Sequence, residues 1–232
     1  INIPMMISYF KVSTGFIFVS GIVASIFGLV RAPILSMMID NSNSKKGKFK
    51  PFLLWSSILT AVSFTFIPFI PQGWIENILF SFNIPAISIF GVAASYIEVS
   101  FGALVMFLLV QIGTFFNTLL TQCLTGIEQT VSPVSQERAN IGAFKGLICN
   151  IPPSVANSII PLVAGIVFAS SKDPMNNIEL YRVAFPICGI GGVLFVFFTY
   201  FGVEERTVVH KEYVAKVKFS EGAKQLFSNK YF

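Results

Sequence analysis

The residues here whose types and spacing suit chemistry are polar side chains set inside long apolar runs. Between Val99 and Ile127, Gln111, Thr114, Asn117 or Thr118, Thr121 and Thr125 recur at steps of three and four and lead to Glu128. That spacing puts them on one face of a helix. The run from Gly146 to Ser171 repeats the pattern with Asn150, Ser154, Asn157 and Ser158. Hydroxyls and amides both donate and accept hydrogen bonds, so such stripes either join helices or line a water-filled path. They supply neither a nucleophile with its base nor a proton relay. No HExxH, GxSxG or Walker loop occurs, and no two carboxylates can be placed facing each other across a cleft. His210, the single histidine, reads as a solvated residue of the tail. Cys123, Cys149 and Cys188 lack the paired spacing of a metal site and read as buried apolar thiols. Gly189, Gly191 and Gly192 match a dinucleotide loop only weakly; inside an apolar run they read as sites of close helix approach. An enzyme is not expected.

The elements that must position these residues follow from composition. Of 232 residues, 54% are hydrophobic and 12% charged, and 26 are Phe. With a mean hydropathy of +0.74 the chain is too apolar for a soluble domain of this size and reads as an all-α integral membrane protein. The net charge of +5 does not indicate nucleic acid, because the basic residues sit in loops and the tail rather than on a face with interleaved aromatics. Five spans are expected, at about 12–38, 53–70, 99–127, 146–171 and 183–203, each long enough for a bilayer core of about 30 Å. Pro152 and Pro153 are expected to kink the fourth. Residues before Val12 read as a remnant of an earlier span, so that 1–203 forms one transmembrane bundle. Residues 204–232 read as a charged cytoplasmic loop with an amphipathic segment.

Orientation rests on the stretch Asp40 to Phe52, where Lys45, Lys46, Lys48 and Lys50 crowd around Gly47 and Pro51 opens the next apolar run. Such a cationic loop belongs on the cytoplasmic side. Residues 71–98 are ambiguous, since Asn77 to Ile97 carries no charge. If this stretch does not cross, the four loop lysines, Arg138, Lys145, Arg206, Lys211, Lys216, Lys218, Lys224 and Lys230 face inward, twelve of the sixteen cations. If it crosses, only six do. The non-crossing topology is therefore expected. Pro85 and the alternation in ISIFGVAASYIEVS favour short strands, giving an external hairpin or interfacial insertion.

Three segments carry a family resemblance. DNSNSKKGKFKPFLLW, with Asp40, Gly47, Lys48, Lys50 and Pro51, resembles the loop between the second and third helices of the glycoside/pentoside/hexuronide:cation symporters, the melibiose-permease group of the major facilitator superfamily. SQERANIGAFKGL, with Glu137, Arg138 and Lys145, resembles their loop between helices four and five, and FGVEERTVV their exit from helix six. The resemblance implies the N-terminal half of a sugar transporter, working by alternating access in the cytoplasmic membrane. It implies the lipid bilayer, a sugar or glycoside and the C-terminal half as partners. It implies no cofactor beyond a coupling sodium ion or proton.

The same resemblance implies a substrate path along Thr114, Asn117, Thr121, Thr125, Asn150, Ser154 and Asn157. Where the family's second helix carries cation-binding carboxylates, this sequence has Gly28, Leu29, Val30, Arg31, Ala32 and Pro33. Both ligands are missing. Its sugar-binding Asp and Trp fall near Thr121 and Thr125, and its helix-five Arg falls at Gly146 beside Lys145. The expectation is that Arg31 stands in for the coupling ion, paired with Glu128 or with a carboxylate of the other half. A non-transporting scaffold or sensor derived from a degenerate transporter half is the alternative.

Overall fold

The computed structural model describes residues 10, 12–42, 44, 47–89, 92–169 and 177–204. The residues before Phe10, Lys45, Lys46, Lys172, His210 and the amphipathic stretch of the tail lie outside these. Five helices are long and apolar enough to cross a membrane: α1 (Thr14–Asp40), α2 (Lys50–Phe66), α4 (Phe101–Thr130), α5 (Ser135–Val167) and α6 (Ile178–Gly202). The short α3 (Gln72–Glu76) and a hairpin of β1 (Ile78–Ile89) and β2 (Val92–Ser100) connect α2 to α4. In lipid only a helix or a closed barrel satisfies its own backbone, so the long apolar runs become helices whatever their side-chain propensities.

The ends of these helices are set by local chemistry. Ser13 caps α1 by accepting from the Phe16 amide, Ser100 caps α4 by accepting from Ala103, and Asn177 caps α6 by accepting from Glu179. Pro51 sits in the first turn of α2, and Pro68 falls in a 3-10 turn, Ile67–Phe69, that ends it. Two helices start well before their apolar runs. α5 begins at Ser135, not near 146, because Glu137 favours a helix N-terminus and the charge of Lys145 is matched by Glu128. α6 begins at Ile178, not near 183, because Arg182 pairs with Glu179 one turn away and donates to the Pro68 carbonyl. Counting uncharged residues finds where a helix enters apolar surroundings. It does not find where the helix starts.

The hairpin pairs antiparallel, from Ile78 with Ser100 to Ile89 with Val92. Between Asn83↔Tyr96 and Ile87↔Ala94 the register slips, and Pro85, which has no amide to donate, falls in that gap. Ser13 ties the hairpin to α1: its hydroxyl donates to the Glu98 carbonyl at 3.2 Å and accepts from the Glu98 amide at 3.0 Å. The Phe101 amide donates to the Asn77 carbonyl at 2.9 Å, closing the base.

Buried side chains gather at the two ends of the bundle. At the hairpin end Phe10, Ile67, Ile75, Ala103, Met106 and Tyr181 form one cluster; at the other, Leu35, Leu53, Leu119, Cys123, Ile127 and Val196 form the second. α2 is the hub, packed on α4 and α6, with 33% of its span buried against 6% in α5 and α6. Much of the apolar surface of the spans is left uncovered by the bundle itself. Exposure also corrects one expectation: Cys123 is buried, but Cys149 and Cys188 are exposed. An apolar setting in a membrane chain need not be protein.

Glycine is required where helices meet closely. A Cβ on Gly126 would collide with the Phe49 ring, and one on Gly189 would stand 3.0 Å from Thr65 Oγ1. Gly191 has nothing within 4 Å, so within the GxGG only Gly189 is under this pressure. Gly126→Ala should lower stability by about 1–3 kcal/mol through overpacking. Gly191→Ala should leave it within about 0.5 kcal/mol. Thermal unfolding of both variants in detergent, with equal losses at the two positions, would refute this account.

Candidate functional site

The packing leaves two cavities. The first, about 360 Å³, lies among α2, α4 and α6 and is lined by Ser57, Thr60, Phe64, Asn117, Cys188 and Gly189, among others. The second, about 350 Å³, lies between the last turns of α1 and α4 and is lined by Ser36, Asp40, Thr121, Gln122, Thr125 and Gln129, with Ile39, Phe49 and Gly126. The polar character of the second follows from α4 itself. Thr121 and Thr125 are one turn apart, and Gln122 and Gln129 flank them, so a narrow sector of one helix faces the space.

The residues expected to line one path are not brought together. Thr121 and Thr125 share the α1/α4 cavity, Asn117 opens into the other, and neither cavity is lined by an α5 residue. Asn150, Ser154 and Asn157 are exposed on α5. Much of the stripe is satisfied within its own helix. Thr114 donates to the Val110 carbonyl, Thr121 to Asn117 at 2.9 Å, Asn150 to Gly146 at 2.7 Å and Ser154 to Asn150 at 2.7 Å. Back-bonding of this kind lets a hydroxyl sit in apolar surroundings without an unmet donor. Spacing alone therefore did not require a shared cavity. Ser36, Ser57, Thr60, Gln122 and Gln129 were missed; Gln122 lies beside the stripe, and the signal for Ser57 and Thr60 was their three-residue spacing.

Arg31 stands nine residues before the end of α1, about 13 Å along a helix axis. Its Nε is buried without a hydrogen-bond partner, and so is Oε1 of Gln122, whose amide donates to the carbonyl of Ala32 at 3.3 Å. A buried guanidinium N–H without an acceptor is costly, so this corner of the bundle holds unspent donor and acceptor capacity. Glu128 is not its counter-ion. Its Oε2 lies 2.6 Å from Lys145 Nζ, across α4 and α5, and Gly142 leaves room for the carboxylate. The expected pairing of Arg31 with Glu128 is replaced by Glu128 with Lys145, because the carboxylate sits near the end of α4 where α5 begins.

The loop residues hold the end of the bundle opposite the hairpin. Asp40 Oδ1 and Lys48 Nζ are 2.6 Å apart, Gly47 takes φ 109°, and Lys50 stands 5.9 Å from the ring centroid of Tyr200 on α6. That positive φ suits glycine and turns the chain back onto α1. Phe49 packs against Gly126 of α4. Glu137 and Arg138 do not pair with each other; both engage Ser132, the carboxylate accepting from its hydroxyl and the guanidinium donating to its carbonyl. Among the described residues no group of three His, Cys, Asp or Glu is placed to hold a metal ion.

With Lys145 39% and Glu128 21% exposed, the pair joining α4 to α5 is only partly withdrawn from solvent. A double-mutant cycle of Glu128→Gln and Lys145→Met should give a coupling of about 1 kcal/mol in unfolding free energy. Strict additivity would mean that the contact holds nothing.

No curated protein and no solved structure matches the chain. A family model described as MFS/sugar transport protein matches residues 11–232, nearly the whole sequence. The five apolar helices agree with that match. The chain is a multi-pass membrane protein of the MFS/sugar transport protein family, and not an enzyme.

Proposed function

We propose that the chain forms the N-terminal half of a sugar transporter that works by alternating access with a second helical bundle in the cell membrane, with the Asp40–Lys50 loop and the tail from Glu204 on the cytoplasmic side. The observation carrying this is the polar cavity between α1 and α4, where Ser36, Thr121, Gln122, Thr125 and Gln129 offer hydroxyls and amides, and where Gln122 also donates to the carbonyl of Ala32, next in the chain to Arg31. A sugar is recognised by this kind of donor and acceptor set, and transporter sites lie at the interface of two bundles. α5 lines neither cavity in this structure but carries a further polar face. Pro152, Pro153 and Pro161 remove the donors that would meet the carbonyls of Ile148, Cys149 and Asn157, and such freed acceptors suit a hydrated face.

Coupling to sodium is not part of this reading. The helix where related symporters place cation-binding carboxylates has Arg31 instead, a permanent cation. Two unit charges about 6 Å apart repel by roughly 3 kcal/mol at an effective dielectric near 20, about a hundredfold in affinity. Arg31 takes the place of the bound ion, with a carboxylate of the second bundle as its partner.

Uptake of labelled glycosides by the complete gene product in proteoliposomes tests both statements. Uptake should proceed equally with and without a sodium gradient. Thr121→Leu or Thr125→Leu should cut it about tenfold through a lost hydrogen bond to the sugar, with insertion unchanged. Strong sodium stimulation would overturn the coupling statement alone. Absence of uptake for every glycoside would favour a scaffold or sensor built on a transporter half.

A further inference from the structure

The hairpin displays apolar side chains where an aqueous loop would display polar ones. Trp74, Ile78, Leu79, Phe80 and Phe82 are all exposed, Phe80 and Phe82 stack at 6.4 Å, and no residue from Asn77 to Ile97 is charged. This run continues the lipid-facing surface of the spans, since Phe66 and Phe69 at the end of α2 are exposed as well. Its base is held firmly. Ile75 is buried against Gly102, Trp74 meets Phe101 edge to face at 5.0 Å, and Ser13 bonds both polar groups of the Glu98 backbone.

We propose that β1 and β2 form a paddle seated in the interfacial layer of the bilayer that holds the five spans, with Trp74 marking the boundary between bundle and lipid surface. Two physical limits select that depth. A two-stranded sheet leaves one edge of each strand without ladder partners, and unpaired backbone groups are excluded from the hydrocarbon core. A ribbon with Phe, Trp, Ile and Leu exposed and no charge is equally unsuited to bulk water. The headgroup boundary meets both demands, because water reaches the edges there while the aromatic rings rest on acyl chains. β1 spans roughly 40 Å when extended, so the paddle covers lipid well beyond the bundle's own footprint. A docking protein is the weaker occupant, since the stretch lacks the charged groups that rim a protein interface.

The test is fluorescence depth quenching on the chain in phosphatidylcholine vesicles, independent of transport. In a Trp55→Phe, Trp74→Phe background, Phe82→Trp should lose roughly half its emission to a lipid brominated near the carbonyl end of its chain. It should lose little to a lipid brominated near the methyl end or to aqueous iodide. Trp74 in a Trp55→Phe background reports the same depth with the hairpin unaltered. Quenching by iodide with neither brominated lipid effective would overturn the paddle in favour of an aqueous loop. Strongest quenching by the deep bromine would overturn it in favour of a crossing segment. Emission sheltered from all three quenchers would place the hairpin against protein, and would overturn it equally.

Discussion

The structure depends on one constraint: inside a bilayer, no backbone amide or carbonyl can turn to water. Five runs of apolar sequence are therefore helices, and among the described residues the one stretch that forms strands is a lone pair with open edges, which hydrocarbon does not accommodate. The same constraint governs side chains. Threonine, serine and asparagine within the spans donate to carbonyls three or four residues back, as Ser63 does to Leu59 and Thr118 to Thr114. Proline works in the opposite direction, leaving free acceptors on α5, one of the two helices least buried in the bundle.

Charge follows the same logic with larger stakes. Glu128 meets Lys145 between two helices, Glu179 meets Arg182 along one, and Asp40 meets Lys48 across the loop. Each pair lies toward an end of the bundle, where water weakens both the attraction and the cost of burial. Arg31 is different because its Nε is buried and has no acceptor. A guanidinium so placed within a span is a candidate functional residue, and its neighbour Ala32 accepts from Gln122, which lines the polar cavity.

Close packing supplies the remaining order. α2 can act as hub because small residues let its neighbours approach: Gly113 of α4 lies against Phe64 and Ser63, and Gly189 of α6 lies against Thr65 and Ala61. With lipid outside as apolar as the side chains within, helix association relies on such contacts and on polar links, not on hydrophobic burial. The loop between α1 and α2 joins the ends of α1, α4 and α6 through Asp40, Phe49 and Lys50.

The membrane class, the family resemblance and the identity of the spans were legible in the residues alone, because hydropathy over twenty positions and a loop such as DNSNSKKGKFKPF are local properties. The strand character of residues 87–89 and 92–100 was legible for the same reason, through alternation and Pro85, while the start of β1 at Ile78 was not. What a polar side chain does is not local. Thr121 and Asn117 share a stripe yet open into different cavities, and Asn150 bonds its own helix, because each outcome depends on which neighbour stands across from that sector. Glu128 could have answered either Arg31 or Lys145 by charge alone. The approach of α5 to the end of α4 decided it, since a 2.6 Å contact needs two backbones set in place by packing that no spacing along the chain encodes.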